Sequence, residues 1–208
     1  MNQTFCFVDL AGFSALTEVH GDETGADLVE RFTSMARAVL IGNGELVATV
    51  GDALFLVFEE PSACLSFLEW LWRRTDEERN FPALRAGVHE GEAVRRGRDF
   101  YGTAVNVAAR VAAQARGGQV LGTGSIATAA AKLNLRTRSL GIVELKNLRT
   151  PVQLFAISIS TEDAHDVIDP ICRMRVIPNR AAAHLESEGE EYWFCSKDCL
   201  REFVGLRR

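Results

Sequence analysis

The chain has 208 residues, room for one good-sized domain and a small second one. It is 47% hydrophobic and 25% charged, the balance of a folded globular protein, and its net charge of -5 argues against a general nucleic-acid binder, which needs a basic face. No apolar run approaches the roughly 20 residues that span a bilayer, and Met1-Asn2-Gln3-Thr4 opens no signal peptide, so no membrane partner and a cytoplasmic location are expected.

In chain order, residues 4–10 are rich in Phe and Val and predict a strand, broken by Ala11-Gly12. Leu28, Phe32, Met35 and Val39 recur at helical spacing and predict a helix over 24–40. Strands 45–50 and 53–58 meet at Gly51-Asp52, a hairpin signal. Pro61 can open a helix running to about 79. A strand follows at 84–94, a helix at 102–115, a strand at 119–122 and a helix at 125–133. Two late strands at 137–145 and 152–159 finish the unit. That order predicts an α+β sandwich, with helices packed on a mainly antiparallel sheet.

Residues 160–167 are polar and aperiodic and are expected to link a first domain, 1–159, to a second unit, 168–208. A unit of about 40 residues needs a metal, disulfides or a neighbour to hold it. Three of the five cysteines, Cys172, Cys195 and Cys199, fall there. An odd count fits a closed disulfide framework poorly. Three thiolates suit a soft or borderline metal such as Zn²⁺ or Cu⁺, with His184 or Asp169 as candidate fourth ligands. Cys6 and Cys64 sit in apolar segments and read as core.

Two constellations in the first domain carry chemistry. Asp9 ends the first strand in Phe-Val-Asp-Leu-Ala-Gly-Phe-Ser, and Asp52 tips the hairpin in Val-Gly-Asp-Ala. Carboxylates among apolar neighbours are costly unless paired or bound to a cation, and two together could hold Mg²⁺ or Mn²⁺. Asn106 and Arg110 lie four apart on one face of an otherwise small and apolar helix, and an arginine there can fork onto phosphate oxygens. His20 and His89 read as surface or strand histidines.

Those motifs, in that order over about residues 4–157, resemble the class III adenylate/guanylate cyclase catalytic domain. The resemblance implies a ferredoxin-like sandwich in which Asp9 and Asp52 hold two divalent ions. Asn106 would orient the ribose, Arg110 would steady the triphosphate, Asp99 would accept from the adenine amino group and Lys146 would reach the phosphates. ATP rather than GTP is then the expected substrate, converted to 3′,5′-cyclic AMP and pyrophosphate. One ion would activate the 3′-hydroxyl and the other clamp the phosphates. A homodimer is implied too, with Asp9 and Asp52 from one subunit facing Asp99, Asn106, Arg110 and Lys146 of the other. One departure stands out: where the family carries a base-selecting lysine, this chain has Ala48.

Asp-Pro-x-Cys-x-Met at 169–174 and Tyr-Trp-Phe-Cys-Ser-x-x-Cys at 192–199 resemble a YHS-type module with the related TRASH cysteine pattern. That likeness implies a heavy-metal-handling unit, and in the leading reading its metal tunes the cyclase. Two other readings stay open on the residues alone. Ala48 suits a cyclase fold that binds a nucleotide or a partner without turnover. The cysteines suit a metal sensor or carrier on a dimerising scaffold.

Overall fold

A computed structural model describes residues 2–40, 42, 44–78, 80–159 and 167–206. The expected linker, 160–167, lies outside the described residues except for Val167. The first domain runs β1 (Gln3–Leu10), α1 (Phe13–His20), α2 (Asp22–Val39), β2 (Gly44–Val50), β3 (Ala53–Phe58), α3 (Pro61–Asp76) and β4 (Leu84–Gly91). A small hairpin follows, β5 (Val94–Arg96) and β6 (Asp99–Tyr101). Then come α4 (Thr103–Gln114), β7 (Val120–Gly122), α5 (Gly124–Lys132), β8 (Thr137–Val143) and β9 (Val152–Ile157).

Seven of these strands form one sheet in the order β2-β3-β1-β4-β7-β9-β8. Every pairing in it is antiparallel except β4 with β7. Alternation along β1 sends Cys6, Val8 and Leu10 to one face and Phe5, Phe7 and Asp9 to the other. The first set joins Leu28, Phe32, Leu65 and Leu68 of α2 and α3 in the main core. On the opposite face Phe5 packs with Phe55, Val57, Phe100 and the α4 residues Ala104 and Ala108. The sheet is thus covered by helices on both sides, and Asp9 emerges at the end of β1.

Two local features differ from the sequence expectation. The stretch before residue 24 is helical, and α1 is separated from α2 by Gly21 at φ 83. An eight-residue helix offers too few turns to register as a periodicity. The strand expected to reach 94 stops at Gly91, and the chain folds into the β5–β6 hairpin around Gly97 at φ 60.

The C-terminal unit holds β10 (Val167–Ile168), β11 (Arg175–Val176), a 3₁₀ turn (Pro178–Arg180), β12 (Ala183–Ser187), β13 (Glu190–Phe194) and α6 (Lys197–Leu206). It has little core of its own. Cys172, Met174, Phe194, Cys199 and Phe203 are buried in the same cluster as the first domain's helices. Three consecutive residues dock it. Arg173 covers Gly12, Met174 forms a β-bridge with Pro82, and Arg175 pairs with Asp76 and donates to the Thr75 carbonyl at 2.6 Å. The neighbour that so small a unit needs is the first domain.

Candidate active site and cysteine cluster

Asp9 and Asp52 come together because β1 and β3 are paired neighbours, with Val8 opposite Leu54. The tip of the β2–β3 hairpin therefore reaches the end of β1. Burial, and next the negative charge of Asp9, push the Asp52 carboxyl above its ordinary 3.8; its own backbone N–H and that of Leu10 pull the other way. Arg85, opposite Asp9 in the β1–β4 register, donates Nε to Asp9 Oδ1 at 2.5 Å. That bond raises the Arg85 pKa. Two carboxylates facing one guanidinium leave an excess of negative charge on oxygen donors, and a hard divalent cation such as Mg²⁺ or Mn²⁺ fits such a set. Arg85 was not singled out from the sequence. Its signal was weak: a charged residue alternating with Leu84 and Ala86 reads as the solvated face of a strand.

The other expected residues sit on other elements. Asn106 and Arg110 are exposed one turn apart on α4, while Ala104, Val107, Ala108 and Val111 of the same helix are buried. Asp99 is exposed on β6, and Lys146 is exposed between buried Leu145 and Asn147 at φ 65. Among the described residues none of these four hydrogen-bonds or ion-pairs with Asp9 or Asp52. Ala48 is half-buried against the Phe5–Phe55–Phe100 cluster, beside an irregularity in the β2–β3 pairing. A lysine is absent there, and nothing polar replaces it at that position.

The second cluster joins the two domains. The Sγ atoms of Cys172 and Cys195 lie 3.3 Å apart, and those of Cys195 and Cys199 lie 3.7 Å apart. His20 Nε2 lies 3.6 Å from Cys195 Sγ and 3.7 Å from Cys199 Sγ. Hydrogen bonds from Cys172 and then Cys195 pull the Cys199 thiol down, whereas those to Cys172 and Cys199 push Cys195 up.

Neither fourth ligand considered from the sequence sits in this group. Asp169 is fully buried, and its carboxylate accepts N–H bonds from Ile171 at 2.9 Å, Cys172 at 3.3 Å and Cys195 at 2.8 Å. His184 stacks on Trp193 at 4.0 Å. His20, read from sequence as incidental, is the imidazole that reaches the sulfurs. Cys6 and Cys64 are core, as expected.

The family model described as the adenylate and guanylate cyclase catalytic domain matches residues 2–158, and the YHS domain model matches 167–204. A pH-sensitive adenylate cyclase of Mycobacterium tuberculosis is 41% identical over 123 residues, covering 59% of this chain and 31% of that protein. An adenylate cyclase of Glutamicibacter nicotianae is 36% identical over 116 residues, 55% of this chain and 29% of that one. The match thus spans about a third of the length of these relatives. Among solved structures, a Trypanosoma brucei adenylate cyclase analysed in its monomeric state aligns with a TM-score of 0.70 at 21% identity, covering 92% of this chain and 95% of that one. An adenylate/guanylate cyclase/hydrolase from Silicibacter pomeroyi aligns with a TM-score of 0.65 at 24% identity, covering 76% and 96%. At those identities the likeness shows the fold.

Proposed function

The chain belongs to the adenylate and guanylate cyclase catalytic-domain family, and on that premise we propose that it converts ATP to 3′,5′-cyclic AMP and pyrophosphate at a site shared by two copies of itself. The observation that carries this reading is the Asp9–Asp52 pair beside Arg85, with Asn106 and Arg110 exposed on α4 and bonded to neither carboxylate. One copy supplies the carboxylates, and its partner supplies Asp99, Asn106, Arg110 and Lys146. A dimer is therefore the active form. Curated relatives that bear the name adenylate cyclase support the ATP assignment.

In the reaction the ribose 3′-hydroxyl loses its proton to solvent, its oxygen forms a bond to the α-phosphorus, the bond from that phosphorus to the bridging oxygen breaks, and pyrophosphate leaves with that electron pair. Ions held by Asp9 and Asp52 would supply Lewis-acid activation of the hydroxyl and neutralise phosphate charge. Arg85 keeps the Asp9 carboxylate in place and offers positive charge beside it. Asn106 orients the ribose. Arg110 spreads its fork over charge that develops on the phosphates. Lys146 holds the departing end. Asp99 accepts from the adenine amino group. Positioning and electrostatics dominate, with no covalent intermediate required.

Residues 1–159 form the cyclase unit in this reading, 160–167 the linker and 168–208 a module. The cysteines there hold a soft or borderline metal, Zn²⁺ or Cu⁺, that tunes the rate. Ala48 favours a second reading, nucleotide binding without turnover. One assay separates the two: product formed from ATP and from GTP with Mn²⁺ or Mg²⁺, beside Asp52→Asn. Cyclic AMP that vanishes in the variant supports the cyclase. No cyclic product from a folded, dimeric protein supports the scaffold.

A further inference from the structure

We propose that His20 and the three module cysteines form one tetrahedral site for a divalent cation of the zinc class, and that this ion clasps the C-terminal module onto α1. The consequence for catalysis rests on the cyclase reading above; the metal chemistry does not.

The donors already have the spacing of a coordination shell. The four ligand atoms all lie within 4.8 Å of one another. Zinc at about 2.3 Å from sulfur and about 2.0 Å from nitrogen, in a tetrahedron, spaces sulfurs by about 3.8 Å and sulfur from nitrogen by about 3.5 Å. The observed separations are 3.7 Å between Cys195 and Cys199, and 3.6 and 3.7 Å from His20 Nε2 to those sulfurs. The Cys172–Cys195 pair, at 3.3 Å, is slightly closer. Thiolates with one imidazole exclude the hard cations that suit the Asp9–Asp52 pair. Four protein donors make a closed site of the structural kind, in which the metal's binding energy serves folding and docking.

The surrounding shell is built to hold the ligands. Asp169 pins the backbones of Cys172 and Cys195 through their N–H groups, and Ser196 Oγ accepts from the Cys199 N–H at 3.1 Å. Outer contacts of this kind fix ligand orientation.

The ion would hold one end of a helix whose other end the module already touches. His20 is the last residue of α1 and Gly12 its N-cap. Arg173, directly after Cys172, lies so close over Gly12 that a Cβ there would fall 2.4 Å from the Arg173 Cβ. Gly12 is three residues from Asp9, and the intervening Ala11 donates its N–H to Ala83 at 2.8 Å. Metal at His20 and Cys172 therefore fixes α1 at both ends and orders the Ala11-Gly12 turn that follows the strand carrying Asp9.

The test uses the full chain, reduced and stripped with chelator, titrated with Co²⁺ and then with Zn²⁺ in competition. One Co²⁺ per chain with thiolate charge-transfer and tetrahedral visible bands is expected; the oxygen-only carboxylate pair cannot produce the former. His20→Gln should shift the visible bands and weaken binding by at least about tenfold, the loss that even an outer partner of a ligand produces. Zn²⁺ should slow hydrogen exchange across residues 9–20 in the unaltered chain and not in the variant. His20→Asn repeats the comparison if His20→Gln melts differently without metal. An unchanged spectrum and affinity in these variants would remove His20 from the site. Absence of a thiolate band in the unaltered chain would remove the site. Zn²⁺ binding with unaltered exchange at 9–20 would remove the clasp. None of these readouts needs cyclase activity, so failure of the cyclase reading would show separately, as absence of product.

Discussion

Gly87 of β4 lies so tightly beneath Ala112 of α4 that a Cβ on it would fall 1.9 Å from the Ala112 nitrogen. The height of α4 over the sheet is thus set by a missing side chain, and with it the position of Asn106 and Arg110. Gly87→Ala should lift the helix, cost about 1–3 kcal/mol as an overpacked core does, and depress cyclase activity although it touches neither residue. Denaturant midpoints and product rates measure the two effects. Gly124→Ala, at a helical position with nothing within 4 Å, should leave both intact.

Arg85 is the cation that Asp9 already has. Arg85→Lys keeps a charge but loses the planar Nε–H that reaches Oδ1. A fall in kcat of about 10²–10³, the scale for losing one placed electrostatic donor, is expected. The pair is only partly buried, so the melting temperature should move little. A large drop in melting temperature with kcat preserved would make Arg85 structural.

Placing the carboxylates of one copy against Asn106 and Arg110 of the other, as proposed, has a consequence for mixed dimers. Asp52→Asn and Arg110→Ala chains, each inactive alone, should regain activity on mixing. Each heterodimer then holds one intact site, so up to about a quarter of the unaltered rate should return for random pairing of a symmetric dimer. Mixtures as inactive as their components would show that all six residues act within one chain.

His89 supplies a pH dependence of stability. Burial lowers its pKa below 6.5, and its Nδ1 is hydrogen-bonded with Thr123 Oγ1 at 2.9 Å. Between 6.5 and the lower folded value, the unfolded chain binds a proton that the native chain does not. Stability therefore falls as pH falls through that window. His89→Gln should narrow the difference between melting temperatures at pH 7.5 and at pH 5.5. An unchanged difference would place the acid sensitivity elsewhere.

Most of the first domain was legible because its strands and longer helices repeat their apolar residues with the right period. Asp9 and Asp52 were legible for a related reason, as acids at the ends of apolar strands beside glycine. The short elements were not. Residues 13–20 give too few turns to show a face, and β5 and β6 have three residues each. Arg85 hid in ordinary strand alternation. His20 could not be read at all, because its partners Cys195 and Cys199 lie 175 and 179 residues downstream. Asp169 looked like a ligand by type, but burial turned its carboxylate to the backbone N–H groups around it, a role that only the folded chain reveals.

The docking of the module on α1 also sets an order of events during synthesis. β1 finds its sheet partners β3 and β4 once residue 91 is available. Arg173 and the cysteines follow much later. At roughly 5–20 residues per second, the gap between the two is on the order of several seconds. Throughout it the sheet can form while Gly12 is uncovered and His20 has no sulfur to meet. The nascent protein therefore passes through a stage with β1 seated and its first helix untied, and under the proposed clasp it leaves that stage only when the last cysteine emerges.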